Sequence, residues 1–250
     1  NSHMRHARAK VLGGCGSHNS CIAFWTPRED LDEWAASGLT GGSADECWPR
    51  IRRLETNDGD WDGHGRSGPV NLMQIPAKDP CGDAVLAAAA QVGMPTVRFN
   101  EGHTVTDGAG YFQINSFPDG TRASASVSYL HPILDSRPNL EVRTDCWASQ
   151  VLFDGTRATG VEYQRGIGPG RETAHAEREV ILSAGAIDTP KLLMLSGIGP
   201  GEHLREFGIE VRSDLPGVGS NLDDHVEGLV FWDAAKPMVT ESTQWWEIGL

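Results

Sequence analysis

The chain has 250 residues, 39% hydrophobic and 22% charged, a composition that supplies a core for one large domain or two small ones. Its 34 acidic residues outweigh 21 basic ones, for a formal charge of −13; this repels phosphate backbones and argues against nucleic-acid binding. The apolar runs at 180–182 (VIL) and 192–195 (LLML) stop far short of the roughly 20 residues that span a bilayer, so no membrane segment is expected. A solvated acidic surface is the ordinary reason for such a charge, and attraction of a cationic small molecule is the alternative. Cys15, Cys21, Cys47, Cys81 and Cys146 form an odd, widely spaced set without a CxxC pair. Neither a disulfide framework nor a zinc site is suggested, and a reducing cytoplasm fits best.

Residues 1–4 (NSHM) lack the apolar core of a signal peptide, and a basic stretch then leads into 13–21 (GGCGSHNSC). Gly13 and Gly14 let backbone amides approach a ligand, and successive amide donors form an anion-binding hollow. A glycine-rich structural turn and a cofactor loop both remain open, since GxGxxG is absent from the chain. His18 is equally open between a hydrogen-bonded structural histidine and a nucleophile, base or ligand. No second histidine stands at zinc-like spacing, so no metal is expected.

Residues 30–55 have helical spacing, with Trp34, Trp48 and Leu54 as inward anchors, and 57–68 form a polar, glycine-rich loop. The run 83–92 (DAVLAAAAQV) predicts a helix stopped by Gly93 and Pro95. From 140 to 165 the period changes to two around an Asp154-Gly155 turn, predicting a β-meander. The run 179–183 (EVILS) predicts a short strand buried on both faces. It leads through Ala184-Gly185-Ala186 to a helix with Thr189 as N-cap, Pro190 at its first position and Gly197-Ile198-Gly199-Pro200 as terminator. Such a strand, turn and helix suit a ligand at the strand's carboxyl end, or ordinary βα packing. Further on, 221–228 (NLDDHVEG) offers either a carboxylate for a cation or a solvated acidic face. The indoles of Trp245 and Trp246 offer either faces for a quaternary ammonium group or core packing. No repeat stands out, and neither terminus carries a natural start or stop signal, so a partial chain is expected.

Residues 185–199 (GAIDTPKLLMLSGIG) resemble, over its full length, the second signature of the glucose-methanol-choline (GMC) oxidoreductase family. Residues 9–14 (AKVLGG) with His18-Asn19 resemble its first signature, and 221–225 (NLDDH) its NLxDH loop. Stretches 6–34 and 237–249 resemble the choline-oxidising members. The resemblance implies an α/β fold: an FAD-binding, Rossmann-like domain (1–75 and 118–226) and an α+β substrate-binding domain (76–117 and 227–250), both incomplete. It places the family's GxGxxG upstream of residue 1 and its catalytic histidine and asparagine beyond Leu250. The chain by itself is therefore expected neither to hold FAD stably nor to turn over.

By the same resemblance, His18 is the histidine that carries FAD covalently, on a loop begun by Gly13 and Gly14. Asn19, Ser20, Cys21 and Ile22 meet the flavin ring, and Ala148 meets the adenine side. Ser20 is the active-site serine beside the substrate hydroxyl, Glu227 is the carboxylate that receives a trimethylammonium head, and Trp246 is an aromatic wall around it. The implied reaction oxidises choline to betaine aldehyde and glycine betaine, with oxygen as acceptor, in a cytoplasmic homodimer without nucleic-acid or membrane partners. Gly16 departs from the family, which has serine there. The alternatives are a dehydrogenase using another acceptor and a non-catalytic fragment that binds quaternary ammonium ions.

Overall fold

The computed structural model describes residues 7–101, 107–224, 228–242, 244 and 246–250. They fall into two compact units, Asn1–Leu140 with Trp232–Leu250, and Glu141–Phe231.

In the first unit, Gly13 (φ 89°) and Gly14 (φ 59°) turn the chain into a single 3-10 turn, Gly14–Ser17, that leads to β1 (Ile22–Ala23). Helices α1 (Arg28–Ala36) and α2 (Ala44–Leu54) follow, separated where Gly38 and Gly41 adopt positive φ. Leu31, Ala44 and Trp48 form their shared core, with Trp25, Cys47 and Ile51 packed against it. Trp48 points inward as its spacing predicts, whereas Trp34 is 53% and Leu54 48% exposed. The nine-residue α1 buries only Leu31, so Trp34 lies outside the covered strip; Leu54 ends α2 just where the chain turns into β2 (Glu55–Asn57).

Strand β2 pairs in parallel with β3 (Val70–Gln74), and the polar loop between them is folded back over the sheet edge. Helix α3 (Pro80–Gln91) starts three residues before the predicted 83 because Pro80 takes the first helical position behind Asp79, a place where its missing N–H costs nothing. It stops, as predicted, at Gly93 (φ 86°). Strands β4 (Gly110–Tyr111) and β5 (Gln113–Ile114) follow, and β5 joins β1 and β3 in a four-stranded sheet of order β1-β5-β3-β2. Cys21, Ile75 and Ile114 are buried against it, with Met73 and Phe112. A π-helical turn, Ser126–Leu130, runs beneath the glycine loop.

The second unit contains the predicted meander: β6 (Cys146–Asp154), β7 (Arg157–Arg165) and β8 (Arg171–His175) pair antiparallel in that order, turning at Gly155 (φ 56°). The strand expected at 179–183 does not form, and Ile181 is 76% exposed. No strand among the described residues pairs with this segment, so its exposed N–H and C=O groups are left to solvent instead of a ladder. Helix α4 (Gly185–Leu195) begins well before the expected Thr189 cap. The Thr189 hydroxyl instead reaches back to accept the Ala184 N–H at 3.0 Å, satisfying that donor from inside the first turns. Gly197 (φ 85°) ends the helix as predicted. Ser196, almost fully buried, donates to the Leu192 carbonyl (2.6 Å) and accepts the Val151 N–H (2.9 Å), joining α4 to β6. A short parallel ladder of β9 (Ile198–Gly199) and β10 (Ser213–Asp214) brackets α5 (Gly201–Glu206), and Asp214 accepts the Gly201 N–H at its start.

The chain returns to the first unit to add β11 (Ile248–Gly249) antiparallel to β4. The class is thus mixed α/β, as expected, though the sheets among the described residues are small and mostly antiparallel. No helix among these residues is long and apolar enough to cross a membrane.

Candidate active site

The glycine loop is pinned from beneath. A side chain at Gly13 would lie 2.6 Å from Ser17 Oγ and 2.8 Å from Ser126 Oγ on a backbone at φ 89°, so anything but glycine strains the turn and must displace the serines. Ser17 and Ser126 both donate to the Leu12 carbonyl, at 2.9 and 3.2 Å, and Ser124 lies 3.2 Å from Ser126. Gly14, by contrast, faces open space. The N–H groups of His18 and Asn19 both return to the Cys15 carbonyl, which turns His18, Asn19 and Ser20 outward into exposed positions.

The next residues lock the turn. Asn19 Oδ1 accepts the Cys21 N–H at 3.1 Å, and Cys21 adopts φ 60°, a left-handed conformation that costs a non-glycine residue on the order of 1–2 kcal/mol. Arg122 holds it there, donating to the Asn19 backbone carbonyl and lying 2.9 Å from Cys21 Sγ. Asn115 N–H donates to the Cys21 carbonyl at 2.8 Å, and Ile22 pairs with Ile114. Burial pushes the Cys21 thiol up, with Arg122 partly offsetting it, so this sulfur is a core group. Of the loop residues singled out in the sequence, Cys21 therefore lies in the core, and the exposed Asn19 has its side-chain oxygen occupied by the Cys21 N–H. His18, Ser20 and the open backbone at Gly14 face outward.

A second segment of the same unit meets this loop. Gln244 Nε2 donates to the Ser20 carbonyl at 2.6 Å. Two residues on, Trp246 is 48% exposed, so its indole is only half committed to packing. Glu227 and His225 lie outside the described residues. Ala148 belongs to the second unit, where it sits exposed on β6 opposite Tyr163. It lines a shallow cavity of about 590 Å³ with Glu141, Arg143, Val161, Tyr163 and His175. Tyr163 donates to Glu172 at 2.8 Å there.

Sequence reasoning missed Arg122, Asn115 and Gln244, and it missed a buried polar cluster that holds the chain at residues 23–25. Glu55 (2% exposed) and His64 (1%) meet at 3.1 Å. Glu55 also accepts the Gly65 N–H (2.8 Å), Trp25 Nε1 (2.9 Å) and Asn57 Nδ2 (3.1 Å). Burial alone would raise the Glu55 carboxyl, but His64, Trp25, Gly65 and Asn57 together hold it below its ordinary range. Gln113 bridges Asn57 and Asn100, and Asn100 grips the backbone on both sides of Phe24, at Ala23 and Trp25. The cluster thus fixes the chain just after β1. Its one local sequence signal was His64-Gly65 inside a loop that read simply as polar.

Open backbone, an outward imidazole and a serine, with the Cys21 side chain buried behind them, fit the edge of a flat heteroaromatic cofactor carrying a pyrophosphate. Among the described residues no group of three or more His, Cys, Asp or Glu could hold a metal ion.

Comparison with known proteins agrees with this class of site. Residues 1–227 match the GMC oxidoreductase family, and the chain belongs to it. The described fold is part of that family's FAD-binding α/β architecture. Over its full length the chain is 58% identical to choline oxidase from Arthrobacter globiformis, covering 46% of that protein. It is 39% identical to oxygen-dependent choline dehydrogenase from Burkholderia multivorans, covering 45%. Among solved structures, an FAD-dependent oxidoreductase from Chaetomium thermophilum superposes with a TM-score of 0.78 at 33% identity, over 84% of this chain and 38% of that one. Pyridoxine 4-oxidase from Mesorbium loti does so with 0.73 at 29%, over 84% and 41%. The chain spans about half the length of the curated relatives it matches.

Proposed function

We propose that the intact protein is an FAD-dependent alcohol oxidase that converts choline to betaine aldehyde and then glycine betaine. The observation that carries this reading is the loop 13–22: a pinned backbone that turns His18 and Ser20 outward, in a chain 58% identical to a choline oxidase. In each round the substrate, choline or hydrated betaine aldehyde, loses two hydrogens and one O2 becomes one H2O2.

FAD supplies the two-electron acceptor. His18 would be the residue that carries it, through its imidazole. Gly13 and Gly14 would give the backbone its close approach, the 19–22 backbone would hold the ring, and Ala148 would serve the adenine side. Removing hydride from the carbinol carbon leaves a carbonyl, so the hydroxyl proton must depart as the hydride does. Ser20 holds that hydroxyl. A quaternary ammonium group has no N–H to donate, so a carboxylate and an aromatic face are the means of orienting it; Glu227 and Trp246 take these roles. Residues 1–75 and 118–226 contribute to the flavin domain and 76–117 and 227–250 to the substrate domain. A cytoplasmic homodimer belongs to the same reading.

The test is expression of the complete gene product, with peroxide and oxygen uptake followed on choline and betaine aldehyde, and mass spectrometry of the peptide containing His18. A flavin-sized increment on that peptide and choline-dependent peroxide are expected. Reduction of an artificial acceptor without peroxide would turn the assignment to a dehydrogenase, and glycine betaine binding without flavin would turn it to a binding module.

A further inference from the structure

Three successive carbonyls in the outward-facing loop are each taken by a different donor. Arg122 takes that of Asn19, Gln244 that of Ser20 at 2.6 Å, and the Asn115 N–H that of Cys21 at 2.8 Å. The first and third donors belong to the body that carries the loop. Gln244 belongs to the same unit but lies 224 residues from Ser20 in sequence, on the segment that presents Trp246.

That segment is anchored on both sides of Gln244 at one point, the start of α3. Asp79 Oδ1 accepts the N–H groups of Glu241 and Ser242, and the Asp79 N–H donates to the Glu247 carboxylate at 3.2–3.3 Å. Glu247 is 9% exposed. A side chain at Gly82 would sit 3.0 Å from its Oε2 and 2.7 Å from the Tyr111 hydroxyl, so the carboxylate is held in a tight slot. The Glu247 carbonyl accepts the Phe112 N–H at 2.8 Å, and Ile248 and Gly249 pair with Tyr111 and Gly110. Ser242 Oγ accepts the Gln244 N–H at 3.0 Å. The backbone on either side of Trp246 is therefore fixed, and the Gln244 side chain transmits that fixed position to Ser20.

We propose that Gln244 is a positioning residue that couples Trp246 to Ser20, so that the grip on the cationic head of the substrate and the group at its hydroxyl keep a set separation. The proposal rests on the roles given to Ser20 and Trp246 in the preceding subsection. Without the amide donor the Ser20–Cys21 peptide keeps only the bond from the Cys21 N–H to Asn19 Oδ1, so it can tilt about that end and carry the Ser20 hydroxyl relative to the aromatic wall. Displacements near 1 Å at a reacting centre cost up to about 100-fold in rate.

The test uses Gln244→Leu and Gln244→Glu in the complete, flavin-bearing protein, with choline and its uncharged isostere 3,3-dimethylbutan-1-ol as substrates. Gln244→Leu is expected to lower kcat/KM for choline by about 10- to 100-fold. The isostere gains less from the head-group site, so the ratio of kcat/KM for choline to that for the isostere contracts, while flavin content and thermal midpoint stay at wild-type values. In Gln244→Glu the ionised carboxylate faces the Ser20 carbonyl and cannot donate, whereas its protonated form can. Its activity relative to wild type should therefore climb as pH falls from about 8 towards the carboxylic range near 4–5, a rescue that a bulk packing role does not produce. Wild-type kinetics in both variants overturn the coupling. Loss of flavin-bearing protein in both overturns it too, because Gln244 then serves general stability. If wild type binds flavin but oxidises neither alcohol, the functional reading itself fails and the coupling falls with it.

Discussion

Glu55→Gln in the complete protein tests the energetics of the cluster that holds β1 in place. The wild-type carboxylate receives four donors: His64 and Gly65 on one oxygen, Trp25 and Asn57 on the other. A glutamine amide keeps one oxygen, so whichever way it flips, two buried donors face an NH2 group. Leaving a buried donor unsatisfied costs about 1–3 kcal/mol. One relief exists on the His64 side, where the ring can move its proton to Nε2 and accept at Nδ1. That relief is small, because Nε2 has no partner in its present surroundings. The expected destabilisation is about 2–4 kcal/mol, read as a lowered urea midpoint with an unchanged slope. Trp25 and Trp48, 6.3 Å apart, supply a fluorescence probe inside the affected region. A loss below about 0.5 kcal/mol would show that solvent reaches the cluster, and the account of β1 being held by it would be wrong.

The same carboxylate gives the pH dependence a sign. Its pKa in the folded protein is depressed, so its contribution is fully present above the unfolded value, about 4.3, and is lost as pH falls through the lower folded value. Urea midpoints of the wild type should fall below about pH 4, and the Glu55→Gln difference should shrink there; a constant difference across that window contradicts the assignment. At the glycine loop, Gly13→Ala combines a positive φ with contact against two serine hydroxyls, whereas Gly14→Ala carries the backbone penalty alone. Thermal unfolding should place Gly13→Ala about 1–3 kcal/mol below Gly14→Ala, with the larger loss of bound flavin; equal effects would mean that the serines yield freely.

Local chemistry made part of this molecule legible from sequence. The 13–21 loop, the meander around Gly155, the stop at Gly93 and the stop at Gly197 all declare themselves through residues whose backbone freedom or period admits few alternatives. The errors came where a segment's state depends on what lies beside it. The β-branched run at 179–183 has strand propensity, yet propensity cannot supply the neighbouring strand that would pair its backbone. Thr189 and Pro190 carry the marks of a helix start, but the hydroxyl can serve a donor five residues back as well as one ahead. Trp34 has helical spacing on a helix that buries one residue.

The site itself divides along the same line. His18 and Ser20 stand out in the sequence because glycines and a family signature surround them, while the groups that set their geometry come from far along the chain. Arg122 reaches the loop across 103 residues and Gln244 across 224, and neither stands in a pattern that marks it. The buried cluster is hidden for a different reason. Glu55, Asn57, His64 and Gln113 are each a surface residue by composition, and each is tolerable inside because the others fill its hydrogen-bonding capacity. Mutual satisfaction is a property of the set, so no single position in the sequence announces it. That same mutual dependence makes the cluster a rigid support: moving one member strands another, and the backbone it holds at residues 23–25 stays fixed as long as the set is whole.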